Sequence, residues 1–172
     1  MSEPQPRRVD RILDPAYLGD LDTRSLDELH GMHEECFEVE TETSYVRRLA
    51  QARIDILEAE LERRAAGGTV GDLVAALPRI LADEGPRGAP ASSRLPRHLG
   101  PAPAVEFARG MEYLISDATL ANLPTIPDDE LRETLSQLRE LEREVSDRRR
   151  ALHRAIDRIE LAVADRHKVG HA

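Results

Sequence analysis

The sequence has few aromatic residues, a single cysteine and no long apolar run. Its 172 residues include three Tyr, two Phe and no Trp, whereas 33% of them are charged. So few large apolar side chains argue against a compact globular core and favour long paired helices. The lone Cys36 excludes a disulfide within the chain. No apolar run approaches the roughly 20 residues of a spanning helix, and no signal-peptide core is present, so we expect a cytoplasmic protein without membrane contacts.

Charge and chemistry exclude further classes of function. The net charge of −9 argues against direct DNA or RNA binding, because that affinity comes from basic side chains that neutralise phosphates. An acidic chain of this kind is better suited to a basic protein partner. Two paired helices offer grooves rather than enclosed cavities, so we expect no enzyme and no catalytic residues. The six His residues are scattered, which predicts no metal site.

Two stretches of the chain carry the same spacing of polar residues, Glu-x3-Ser-x2-Arg-x3-(Gln/His)-x3-Asp. Motif 1 consists of Glu40, Ser44, Arg47, Gln51 and Asp55. Motif 2 consists of Glu142, Ser146, Arg149, His153 and Asp157. On a helix, these steps bring the five side chains of each motif within an arc of roughly 80°. Each motif is therefore predicted to form one polar stripe of a long helix.

Apolar residues recur beside each motif at alternating steps of three and four, which is typical of a coiled-coil seam. The first seam comprises Leu29, Met32, Cys36, Val39, Val46, Ala50, Ile54, Leu57 and Leu61. The second comprises Leu131, Leu135, Leu138, Val145, Leu152, Ile156, Ile159 and Val163. Two helices joined along these seams would carry their polar motifs along the flanks. The predicted fold class is all-α, a long antiparallel two-helix coiled-coil hairpin with short helices in the connector and a partly extended N-terminal arm.

Local signals place the ends of the two helices. A capping box at Ser25 and Glu28 predicts the first start, and Gly67 and Gly68 predict the first stop. Pro127 and the acidic residues after it predict the second start. The predicted segments are an N-terminal arm (1–24), a helix with motif 1 (25–66), a connector (67–126), a helix with motif 2 (127–166) and a tail (167–172).

The connector and the arm carry weaker patterns. Residues 69–83 and 104–117 favour short helices, the first of them bent at Pro78, with a Pro- and Gly-rich linker and a basic run between them. Their apolar residues either cap the long helices or are reserved for a partner. The arm has several prolines and two apolar pairs, Ile12-Leu13 and Tyr17-Leu18, which indicate a docking segment at least as much as disorder.

The side chains of the motifs suit a guanine nucleotide. Arginine can donate two hydrogen bonds to guanine O6 and N7, and aspartate can accept from guanine N1-H and N2-H. Ser and Gln can reach phosphate or ribose oxygens. Ordinary solvated faces with ion pairs one turn apart would explain much of the charge, but they do not predict five matching positions.

The paired motifs resemble the signature of the RsiG family, anti-sigma factors of sporulating actinobacteria. Further similar runs are Ser25–Leu29, Ser44–Leu49, Arg53–Ile56 and Arg94–Leu99, so the resemblance extends over nearly the whole chain. It implies that an antiparallel coiled coil binds cyclic di-GMP through one motif on each helix, with the ligand expected as a pair of molecules. It also implies that the ligand-bound protein, monomeric before partner binding, sequesters a WhiG-type RNA polymerase sigma factor. Late sporulation transcription would then be repressed.

Carried over to this chain, the resemblance makes all ten motif residues ligand-binding. Arg47 and Arg149 would bond or stack with guanine, and Asp55 and Asp157 would accept from its Watson-Crick edge. Ser44 and Ser146 would reach phosphate or ribose, and Glu40 and Glu142 would order an arginine or accept from a guanine amine. The one departure is His153 where the motif has Gln, because imidazole cannot donate and accept through one group as an amide does.

Two alternatives remain open from the sequence. The first is a coiled-coil scaffold or adaptor without a small-molecule ligand, in which both motifs are solvated ion-pair faces. The second is a ligand sensor whose protein target is not a sigma factor.

Overall fold

The computed structural model describes residues 7–82 and 122–169, and within these ranges every regular element is a helix. The elements are α1 (Arg8–Leu13), 3-10 turns at Pro15–Leu18 and Leu21–Thr23, α2 (Leu26–Ala65), α3 (Val70–Ala82), a 3-10 turn at Leu123–Thr125 and α4 (Asp128–Val169). The predicted all-α class with two long helices is confirmed. The predicted helix at 104–117 and the basic run at 94–99 lie outside the described residues.

Helix α2 begins and ends where the sequence signals predict. The Glu28 carboxylate accepts hydrogen bonds from the backbone N-H and the hydroxyl of Ser25, both at 2.7 Å, and the Ser25 hydroxyl accepts the Glu28 N-H at 3.3 Å. This reciprocal pair is a capping box. At the other end, Gly67 adopts a φ of +68°, which a glycine tolerates without a steric penalty. The Gly68 N-H then bonds the Arg63 carbonyl at 2.9 Å and closes the helix.

Helix α4 begins at Asp128, one residue after Pro127, and Asp129 and Glu130 complete an acidic first turn. Acidic side chains there interact favourably with the positive end of the helix dipole. The helix continues to Val169, three residues beyond the predicted end at Arg166. The basic last turn accounts for this extension, because positive side chains stabilise the carbonyl end of a helix.

Residue contacts divide the chain into two compact units, each with its own core. Unit 1 comprises Met1–Tyr45 and Glu144–Ala172, and unit 2 comprises Val46–Arg143. In unit 1, α2 and α4 run antiparallel, because His33 contacts Glu160 whereas Glu40 contacts Arg149. The buried core of unit 1 contains Val9, Ile12, Leu21, Leu29, Met32, Cys36, Val39, Leu152, Ala155, Ile156 and Ile159. Both predicted seams therefore contribute to it.

In unit 2, α2 and α4 are again antiparallel, with Glu58 bonded to Arg139 and Arg64 bonded to Asp128. The core of unit 2 contains Ile56, Leu57, Leu73, Leu123, Leu131, Leu135 and Leu138. Leu73 comes from α3, and Leu77 and Ile80 pack partly buried against the same core. Helix α3 thus covers this end of the long helices, although Val74 on its other side is 59% exposed.

The N-terminal arm docks onto the core of unit 1. It is extended at Asp14 and Arg24 and forms α1 and two 3-10 turns between its ends. Val9 and Ile12 are 4% and 0% exposed. The predicted docking segment is therefore present, and burial of these apolar side chains against α2 and α4 is what holds it.

Cys36 lies buried on the α2 seam, as predicted. Burial raises the pKa of its thiol to about 11, and a hydrogen bond with Tyr17 opposes this rise. A thiol of this kind is uncharged near neutral pH and acts as a small apolar side chain.

Within residues 7–82 and 122–169, no helix combines the length and the apolar character that crossing a membrane requires.

Candidate functional site

Six of the ten motif residues lie in unit 1, which we call the Glu40 group: Glu40, Ser44, Ser146, Arg149, His153 and Asp157. Its centre is a contact between the two long helices. The Nε-H of Arg149 on α4 donates to Oε1 of Glu40 at 3.0 Å and to the hydroxyl of Ser44 at 2.8 Å, both on α2. Ser146 is half-buried, whereas Asp157 is exposed. The Glu and Ser of motif 1 therefore hold the Arg of motif 2.

The Glu40 carboxylate accepts three hydrogen bonds at one oxygen. Besides Arg149, the Ser44 hydroxyl donates to Oε1 at 2.8 Å, and Nε2 of His153 lies 2.9 Å from it. Burial of Glu40 raises the pKa of its carboxyl group, but the hydrogen bonds from His153 and Ser44 and the charges facing it outweigh burial. The pKa is therefore lowered from its usual 4.5. The group is held in its ionised form.

The lowered pKa predicts how stability depends on pH. Because the carboxyl pKa of Glu40 is lower in the folded than in the unfolded chain, its ionised form stabilises the fold above the unfolded value of 4.5. That contribution is lost as the pH falls through the folded pKa. We expect Glu40→Gln to reduce the free energy of unfolding near about pH 7, and the deficit to shrink below about pH 4. Urea denaturation of both proteins across this range measures it, and a deficit that stays constant with pH would contradict the assignment.

The terminal nitrogens of Arg149 are the chemically available part of the Glu40 group. Both of its hydrogen bonds to α2 use Nε, so the Nη1 and Nη2 groups take no part in these bonds. The side chain is 36% exposed, whereas that of Glu40 is 14% exposed. The terminal guanidinium groups provide paired donors that match a carboxylate, a phosphate or the O6 and N7 edge of guanine. The arginine is fixed by its inner nitrogen and can bind through its outer edge.

The remaining motif residues lie in unit 2 and form the Arg47 group: Arg47, Gln51, Asp55 and Glu142. Nη1 of Arg47 donates to the amide oxygen of Gln51 at 2.8 Å and lies 3.8 Å from the carboxylate of Glu142. The Nε of Arg47 is buried, and it has no hydrogen-bond partner among residues 7–82 and 122–169. All four side chains are half-buried. Here too an Arg of one motif faces the Glu of the other motif.

The two groups differ where the sequence departs from the repeated pattern. Gln51 accepts a hydrogen bond from Arg47 of its own motif, whereas His153 bonds Glu40 on the opposite helix. The amide therefore orders the arginine directly. The imidazole instead orders the carboxylate that holds the arginine.

Pairing across the helices was not predicted from the sequence, which indicated only a stripe on each helix. The pairing could have been predicted from the register of an antiparallel helix pair. In an antiparallel pair, residues that face each other have position numbers with a constant sum, and Glu40 with Arg149 gives the same sum as Arg47 with Glu142. Each motif thus supplies the Glu that faces the Arg of the other.

No curated protein matches the chain. The family model described as RsiG-like matches residues 15–81, a segment that contains the whole of motif 1 and ends before motif 2. The family resemblance that was read from the sequence is therefore confirmed over this segment, and the chain is RsiG-like over residues 15–81.

Proposed function

We propose that this chain binds cyclic di-GMP through its two motifs and, in the ligand-bound form, sequesters a WhiG-type sigma factor. Two findings support the proposal. The RsiG-like match at residues 15–81 includes motif 1, and this family implies an anti-sigma role. The observation that carries the proposal is Arg149, whose inner nitrogen is fixed by Glu40 and Ser44 while its outer nitrogens take no part in those bonds.

The chemistry of the Glu40 group fits a guanine nucleotide. The outer edge of Arg149 would donate to guanine O6 and N7 or to a phosphate, because a guanidinium matches both in a bidentate manner. Asp157 is exposed on the same helix, two turns away, and its carboxylate would accept from guanine N1-H and N2-H. Ser146 would reach a phosphate or ribose oxygen. Glu40 acts through Arg149, which it holds in position.

The Arg47 group would contribute in the same way with a different arrangement. Its arginine is ordered by Gln51 through Nη1. Asp55 would accept from guanine as Asp157 does. Glu142 lies 3.8 Å from Arg47 and would order it.

Charge explains why arginines are required in an otherwise acidic chain. Cyclic di-GMP carries two negative charges, and the chain has a net charge of −9. Long-range repulsion would oppose binding unless guanidinium groups contact the ligand directly. Because Arg149 pairs with Glu40 through Nε, the ligand can bind the outer nitrogens without breaking that pair. The ion pair and the ligand contact are compatible.

The ligand would control the partner by linkage. Each group combines side chains of α2 and α4, so a ligand bound to it contacts both helices and stabilises one arrangement of their surfaces. A sigma factor that binds the same arrangement then binds more tightly when ligand is present. By thermodynamic reciprocity, the sigma factor raises the affinity for the ligand by the same factor.

Calorimetric titration tests the proposal. We expect saturable binding of cyclic di-GMP and no binding of cyclic di-AMP, because adenine presents an amine where guanine presents the O6 acceptor. GTP serves as a second control, since it carries guanine and phosphates without the cyclic dinucleotide geometry. Pull-down of a WhiG-type sigma factor with and without ligand then tests the partner. Absence of heat with cyclic di-GMP at millimolar concentration would reject the ligand, and capture of the sigma factor independent of ligand would reject the coupling.

A scaffold without a small-molecule ligand is the second candidate function. The observation that favours it is that Glu40, Ser44, Arg149 and His153 satisfy one another through hydrogen bonds, as a structural cross-helix network does. This candidate predicts that no nucleotide changes the melting temperature. Cyclic di-GMP would raise it under the first proposal, because a ligand that binds only the folded state stabilises that state.

A further inference from the structure

An acidic row on α2 binds the N-terminal arm of the same unit. Nη2 of Arg8 contacts the Glu38 carboxylate at 2.8 Å, and its Nη1 lies 3.7 Å from Glu42. Arg11, one turn further along α1, pairs with Glu35. Three carboxylates spaced along one face of α2 therefore meet two guanidinium groups spaced by one helical turn.

Apolar contacts lie directly beside the acidic row. Val9 and Ile12 of α1 are almost fully buried in the core of unit 1, where Cys36, Val39 and Ile156 also lie. The arm thus displays a short pattern, Arg-Val-x-Arg-Ile, in which a basic pair faces the acidic row and an apolar pair enters the core. We call this acidic row and its adjoining apolar surface, Glu35, Glu38, Glu42, Cys36, Val39 and Ile156, the arm-binding face.

The ion pairs that hold α1 on this face are individually weak. Helix α1 has six residues, and helices of that length are not stable alone in water. The side chains of Arg8 and Arg11 are 49% and 55% exposed, and ion pairs at such exposure contribute little. The arm is further tied by Tyr17, which donates to Glu35 at 2.8 Å, and by Arg158, which donates to the Leu18 carbonyl at 3.4 Å. A longer helix with the same pattern would make the same contacts and more.

We propose that the arm-binding face is the docking surface for a helix of the protein partner, and that this helix replaces α1. The partner helix carries basic residues at positions i and i+3 and apolar residues at i+1 and i+4, as the arm does. Charge complementarity supports this occupant, because three carboxylates on one face of an acidic chain attract a basic helix and repel an acidic one. The inference rests on the proposed function only for the identity of that partner.

A peptide supplied in solution tests the exchange. The probe is a fluorescent synthetic peptide with the sequence of residues 7–24, and the acceptor is the full chain carrying Arg8→Glu and Arg11→Glu. Both arginines are exposed, so the substitutions leave the cores intact, and the new carboxylates weaken the arm because they face Glu35, Glu38 and Glu42 and are repelled by them. We expect this variant to bind the peptide at least tenfold more tightly than the wild type, because the wild-type arm competes at the high effective concentration of an attached segment. A scrambled peptide of the same composition is the control.

A charge exchange identifies the face. In an acceptor whose arm is weakened by Val9→Ala and Ile12→Ala and keeps Arg8, peptide binding should fall at least fivefold when Glu38→Arg is added, and a peptide carrying Arg8→Glu should recover that loss. Val9→Ala with Ile12→Ala provides a second way to weaken the arm without altering charge, and circular dichroism verifies that each acceptor is folded.

Equal binding by wild type and variants, or no binding by either variant, would overturn the proposal. So would a dimer formed by arm exchange between two copies in sedimentation experiments. Cyclic di-GMP is absent from these assays, so their failure leaves the ligand proposal standing, and the converse holds.

Discussion

Arg149→Ala is expected to weaken cyclic di-GMP binding by about 100-fold, a change of about 2.8 kcal/mol. The substitution removes the outer guanidinium edge, and a bidentate pair with guanine or phosphate accounts for a loss of that size. It also removes the donor that Glu40 and Ser44 bind through Nε, so a half-buried carboxylate loses a partner. Calorimetric titration measures the affinity. Circular dichroism is expected to show the helicity of the wild type, because the Arg149 side chain is 36% exposed and contacts α2 through hydrogen bonds rather than apolar packing.

The matched control is Arg132→Ala. Arg132 lies on the same helix, its side chain is 65% exposed, and it pairs only weakly with Asp128 at 3.5 Å. We expect its ligand affinity to stay within a factor of about two of the wild type, the range that a distant exposed charge produces under screening. Equal affinities of the Arg149 variant and the wild type would remove the Glu40 group from the proposed site. An equal loss in both variants would show that general charge, rather than position, governs binding.

The ends of α2 were predictable from sequence because local chemistry determines them. The capping box at Ser25 and Glu28 involves residues three apart, and the stop at Gly67 depends on one residue that tolerates a positive φ. The end of α4 was less predictable, since no glycine or proline stands directly after Arg166 and the basic last turn continues to Val169. The ends of a helix could therefore be predicted where the residues that determine them lie within one turn of the end.

Contacts between elements were less accessible to sequence reasoning. The pairing of Glu40 with Arg149 depends on the register of two helices about a hundred positions apart, which the spacing within one motif does not contain. The docking of α1 depends on two buried side chains, Val9 and Ile12, and two apolar residues do not indicate which surface they cover. The sequence spacing predicted one polar stripe on each long helix. The ligand roles of the ten motif residues stay predictions.

Glu60 was missed although its two arginines lie one turn away on α2, because the sequence does not show that this carboxylate is buried, and it gives the second large expected effect. This carboxylate looks like one of many surface acids in the sequence, yet its side chain is 2% exposed in unit 2. It accepts two hydrogen bonds from Arg63, both at 2.7 Å, and one from Arg64 at 2.6 Å. Arg64 in turn donates to the Leu123 and Ile126 carbonyls and to Asp128. Glu60 thus orders the arginine that joins the end of α2 to the start of α4.

Glu60→Ala is expected to lower the free energy of unfolding by about 2–3 kcal/mol, because it leaves two guanidinium groups without the carboxylate that they face in a partly buried position. This estimate lies below that for a fully buried pair, since the side chains of Arg63 and Arg64 keep 15% and 18% exposure to water. The melting temperature should fall by roughly 4–12 °C. Glu62→Ala, an exposed site on the same turn, is the control and should change the free energy by less than about 0.5 kcal/mol. Equal stabilities of the two variants in urea denaturation would show that the Glu60 network contributes no more than a surface ion pair.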